Sequence, residues 1–131
     1  MDGVTKELVE YFEKLERLGD MAVEAIKEQV DEECDRVERE IGSGTPEGAT
    51  GGLARSLKRA KIDDGKRYGY RLEYEGENEH GIPYAKIANI LNHGTSTIAP
   101  RRFITRAVRK LKGLDSRAAQ RFEDKTKDIV D

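Results

Sequence analysis

Residues 84–107, YAKIANILNHGTSTIAPRRFITRA, decide how the chain reads. Pro83 stands just before this stretch, at the first turn of a helix, where its missing N–H does no harm. Ile87, Ile90 and Leu91 follow at a spacing that buries one face, so a helix is predicted over 83–92. His93-Gly94 stops it, because glycine readily takes the left-handed conformation in which helices end. Gly94 and Thr95 are therefore expected to form a structural turn, with Gly94 at positive φ. Ser96–Pro100 reads as extended. Phe103, Ile104, Ala107, Val108 and Leu111 then open a second amphipathic helix, ended or bent at Gly113. Phe103 is expected to anchor the chain's own core, while Arg101, Arg102 and Arg106 project outward as an interface.

Upstream, apolar side chains recur at Leu8, Phe12, Leu15, Leu18, Ala22, Ile26, Val30, Cys34, Val37 and Ile41, close to the helical repeat. Residues 4–41 read as one amphipathic helix, with Gly19-Asp20 as the point where it could split. Residues 42–52 hold five glycines and a proline and read as a flexible loop. Tyr68, Tyr70, Leu72 and Tyr74 alternate with Arg67, Gly69, Arg71, Glu73 and Glu75, the period of a half-buried strand. Residues 57–62 are its expected partner across an Asp64-Gly65 turn. The tyrosine stripe fits the inner face of a sheet, and also a stacking surface for bases. Leu114, Ala118, Phe122 and Ile129 carry a helical pattern onward. The expectation is one α+β domain: a long N-terminal helix (1–41), a glycine-rich loop (42–52), an α+β core (53–112) and a C-terminal helix (113–131). The long helix and the 84–92 helix should cover one face of a small antiparallel sheet.

Charge is distributed unevenly. Residues 1–41 carry 14 acidic and 6 basic side chains, and the remainder 12 acidic and 18 basic. No carboxylate side chain lies between Glu79 and Asp115, where Lys86, Arg101, Arg102, Arg106, Arg109, Lys110 and Lys112 all fall. Such asymmetry suits nucleic acid, an acidic surface on a neighbour, or a basic face paired within the fold. Leu, Ile, Val and Phe number only 28 of 131 residues, enough for a small core. Part of the long helical stripe is therefore expected to face another subunit.

The residues offer no obvious chemistry. Cys34 is the single cysteine of the sequence, so no disulfide can close within it. His80 and His93 lack ligand-spaced partners, and metal sites need three or four convergent ligands. Gly65-Lys66 is followed by Arg67, not by the Ser or Thr of a phosphate-binding loop. The acidic side chains of the long helix read as solvation and i,i+4 pairing, Glu13 with Arg17 and Asp35 with Arg39. No catalytic residue, metal or cofactor is expected, nor a membrane span, since no apolar run approaches ~18 residues.

Gly52, Leu53, Ser56 and Leu57, then Tyr84, Ala85, Gly94 and Thr95, then Phe103 and Ala107 occur in an order and spacing that resembles the tail-completion (neck) proteins of long-tailed bacteriophages. The resemblance spans about residues 50–110. The chain has Asn92 where that family frequently has Glu, and Arg102 and Arg106 where it frequently has Pro. The resemblance implies a non-enzymatic virion-assembly subunit, forming a ring with copies of itself and meeting other neck or tail proteins. It also implies assembly in the host cytoplasm and a final place in the virion, near the path of the DNA. The residues leave two other readings open: a nucleic-acid-binding protein using the basic 86–112 segment, and an adaptor whose long helix pairs with a partner's helix.

Overall fold

The structure, a computed structural model, describes residues 3–46 and 51–130, with side chains described over 8–46 and 51–127. The fold is α+β. Helix α1 spans Gly3–Gly44 and α2 spans Gly52–Arg55; strands β1 (Leu57–Asp63) and β2 (Tyr68–Tyr74) follow, then α3 (Tyr84–His93), α4 (Phe103–Arg109) and α5 (Leu114–Val130). The expected 42–52 loop begins later than its composition suggests, because Gly42 and Gly44 belong to α1. Residues 47–50 of that loop lie outside the described residues. α1 also runs unbroken through Gly19-Asp20. A single interior glycine costs a helix only ~1 kcal/mol relative to Ala, which 42 consecutive residues absorb.

Contacts gather into two units: the chain up to Asp31 together with Gly113 onward, and Glu32–Lys112. The second unit contains the sheet. β1 and β2 pair antiparallel from Leu57 opposite Tyr74 to Asp63 opposite Tyr68. Their turn is closed by Asp64, whose Oδ1 accepts the amides of Lys66 (3.0 Å) and Arg67 (2.8 Å), with Gly65 at φ 85°. One face of the hairpin presents Leu57, Leu72 and Tyr74 to a core of Val37, Ile41, Leu53, Ala88, Phe103 and Ala107. The last turns of α1, with α2, α3 and α4, thus cover that face. The opposite face carries Lys58, Ala60, Arg71 and Glu73, all exposed.

The tyrosine stripe divides between two environments. Tyr74 packs against the core. Tyr70 and Tyr68 lie farther toward the hairpin tip, half-buried, with Arg59 4.6 Å above the first ring and Lys61 5.3 Å above the second. Arg59 also binds the carboxylates of Asp35 and Glu38 on α1. Asp35 therefore pairs with Arg59 and not, as its i,i+4 spacing predicts, with Arg39, whose Nε reaches only the Asp35 carbonyl at 3.4 Å.

In the first unit α5 runs beside α1. Ala25 and Ala118 are buried there, small enough for close approach. Lys125 binds Glu24 (3.2 Å) and Glu28 (3.1 Å), and Arg121 binds Glu28 (3.3 Å) and Gln29 (2.8 Å). The Lys125 ammonium, and then Arg121, hold the Glu28 carboxyl below its usual range.

Candidate functional site

The segment from the end of α3 to the start of α4 is held almost entirely by hydrogen bonds to its own backbone. A helix leaves its last carbonyls and first amides without intrahelical partners. Here the two sets meet partners across one turn. The Gly94 amide donates to Ile90 O (2.7 Å) and the Thr95 amide to Ile98 O (2.8 Å). Thr95 Oγ1 accepts the Ile98 amide at 3.0 Å. Gly94 has φ 76° and ψ 178°. The chain then returns, so that the amides of Arg101 and Arg102 donate to Leu91 O (2.8 Å) and Asn92 O (3.1 Å), satisfying carbonyls at the end of α3.

Asn92 completes this arrangement. Its side chain is 3% exposed. Oδ1 accepts the amides of Ile104 (3.0 Å) and Thr105 (3.1 Å), and Nδ2 donates to Thr105 Oγ1 (2.8 Å). It serves as the N-terminal cap of α4 from a different helix, where the residue at α4's own cap position, Arg102, makes no side-chain cap bond. In the sequence, Asn92 stands out only as a departure from a family pattern. Its one signal was its place four residues after Ala88 on the buried side of α3. Arg102 has φ 53°, the one positive φ among described non-glycine residues. Proline cannot take that angle, so a proline at position 102 is incompatible with this turn.

The turn seats Phe103, 2% exposed, in the core. A Cβ on Gly44 would lie 3.1 Å from that of Phe103, so the end of α1 and the start of α4 approach as closely as a glycine permits. Arg101, Arg102, Arg106 and Arg109 remain exposed, and none of the four forms an ion pair among the described residues. Nearby Lys110 differs, since it binds Glu40 at 3.0 Å. Ile98 and Val108 are exposed within the same carboxylate-free segment.

A second unsatisfied surface lies on the first half of α1. Leu8, Phe12, Leu15, Val23 and Ile26 are 51%, 62%, 45%, 51% and 49% exposed. At 100° per residue they follow one seam of the helix, with Glu13, Glu16 and Asp20 along one margin. Those three carboxylates and Glu10 form no ion pair among the described residues, and the expected Glu13–Arg17 pair is not made. The Leu18 and Ala22 positions of the expected stripe are half-buried. Leu8, Phe12 and Leu15 are not.

His80 lies on an exposed turn that Asn78 organises, its amide donating to Asn78 Oδ1 at 2.9 Å. His93 is exposed at the end of α3. Among the described residues no three His, Cys, Asp or Glu side chains converge as a metal site would require, and no helix is long and apolar enough to cross a membrane. No protein-family model matches the chain, and neither a curated protein nor a solved structure matches it.

Proposed function

We propose that this chain is a structural, non-enzymatic subunit of a tailed phage or prophage virion, one that assembles with copies of itself into a ring at the junction of tail and head. The observation that carries the assembly reading is the seam of large apolar side chains left exposed on α1. A contiguous apolar surface of this kind marks an interaction site more often than an isolated exposed residue does. The place of assembly comes from the ordered resemblance over residues 50–110 to tail-completion proteins. Beside the Asn92–Thr105 turn, itself a departure from that family's frequent Glu and Pro, Arg101, Arg102 and Arg106 stay exposed, as an outward-facing contact surface requires. Other neck or tail proteins are the remaining partners of such a subunit.

Solution mass measured across a concentration series, with electron microscopy of the product, tests this reading. A discrete closed ring is the expected result, and a monomer at every concentration would overturn it. The exposed arginines also favour a second reading, nucleic-acid binding. A gel shift at low salt whose affinity falls steeply with salt would support that one instead.

A further inference from the structure

The geometry points to a head-to-tail contact in which the exposed seam of α1 on one copy docks on the arginine-bearing 98–109 surface of the next. The inference rests on the assembly reading above and names the two patches that meet. Both carry exposed apolar side chains together with exposed charges of one predominant sign. The α1 seam has Phe12 and Leu15 with Glu13, Glu16 and Asp20 along one margin; the 98–109 segment has exposed Ile98 and Val108 and exposed Arg101, Arg102, Arg106 and Arg109. Residues 8–26 carry a net charge of −3, and residues 80–114 carry +7 with no carboxylate side chain.

The state of the charges argues for a second copy as the occupant. Several ions elsewhere are paired within the chain: Arg59 with Asp35 and Glu38, Lys110 with Glu40, Lys125 with Glu24 and Glu28. On these two patches, Glu10, Glu13, Glu16 and Asp20 on one and four guanidiniums on the other lack ion-pair partners among the described residues. The unpaired sets are of similar size and opposite sign. Laying the seam on its own copy would oppose carboxylate to carboxylate, with only Lys14 and Arg17 to offset them. Joining two different patches is a heterologous contact, the kind that propagates around a ring.

Two full-length variants and their mixture test this. One carries Arg101→Glu, Arg102→Glu and Arg106→Glu; the other carries Glu13→Lys, Glu16→Lys and Asp20→Lys. All six positions are exposed, and circular dichroism verifies that both variants retain wild-type helicity. Each alone should weaken self-association at least about tenfold by opposing like charges across the contact. The equimolar mixture should recover assembly, because every junction then meets opposite charge. A further variant, Phe12→Ser with Leu15→Ser, alters no charge and should also lower the assembled mass. If wild type assembles but the arginine variant or the serine variant assembles equally well, this contact is wrong while the ring reading stands. A mixture that stays dissociated has the same meaning. If wild type itself remains monomeric at all concentrations, both the contact and the ring reading fall.

Discussion

Gly94 decides a turn through the space around one hydrogen. A Cβ there would lie 2.7 Å from Ile98 O and 2.7 Å from Pro100 N, closer than real contacts allow, on a backbone already at φ 76°. Gly94→Ala is expected to destabilise the fold by more than ~1 kcal/mol; a thermal melt matching wild type would show that the turn tolerates a side chain. The need for glycine at this position was legible in the sequence as a helix stop, but the expected extended segment after it is instead a bend at 96–98 closed by the Thr95–Ile98 hydrogen bonds. The part played by Asn92 was not legible. An asparagine near a helix end reads as a polar residue in a fraying turn, and its partners Ile104 and Thr105 lie 12 and 13 residues onward. The left-handed conformation of Arg102 has no sequence signal either, since arginine carries no preference for it.

Periodicity located most of the elements, because amphipathic patterns report a local geometry. The 3.6-residue stripe announced α1, and strict alternation with Asp64-Gly65 announced the hairpin. Periodicity does not report which charge meets which across the fold. Asp35 found Arg59, 24 residues away, and Glu28 found Arg121 and Lys125 on α5. The Glu28 pairing has a pH consequence. Its carboxyl is held below the usual 4.5, chiefly by the Lys125 ammonium. The stability it contributes is therefore fully present above that ordinary value and is lost as pH falls through the lowered folded value. Acidification from about pH 5 to pH 3 should weaken the α1–α5 pairing in wild type more than in Glu28→Gln. Melting curves of both proteins across that range measure the difference, and parallel losses would assign the acid sensitivity to other carboxylates.

For the chain as a whole, the scarcity of large apolar residues read from composition becomes a statement about Phe103. Among the described residues, the buried hydrophobic cluster of the second unit has six members, and Phe103 is the one aromatic among them. Phe103→Ala should cost ~3–5 kcal/mol, a large share of the ~5–15 kcal/mol that stabilises an ordinary domain. Arg101→Glu with Arg102→Glu and Arg106→Glu should leave the melting temperature within about 2–4 °C of wild type, since solvent-exposed substitutions rarely exceed ±0.5 kcal/mol. Calorimetry of both variants separates residues that hold the fold from those that face outward. The acidic and basic halves were legible as composition. Which of those charges the chain neutralises internally was not, because that depends on the packing of elements distant in sequence.

The exchange of hydrogen bonds around Asn92 makes two helices a single opening unit. Leu91 and Asn92 carbonyls hold the amides of Arg101 and Arg102, while the Asn92 side chain holds those of Ile104 and Thr105. The amides of Ile104 and Thr105 come free only when the Asn92 side chain at the end of α3 lets go of them. In native-state hydrogen–deuterium exchange these four amides should share one opening free energy, although α4 is only seven residues long and would fray readily by itself. Asn92→Ala should split that shared value, speeding exchange at Ile104 and Thr105 more than at Arg101 and Arg102. Equal acceleration at all four would mean that the backbone bonds alone couple the two helices.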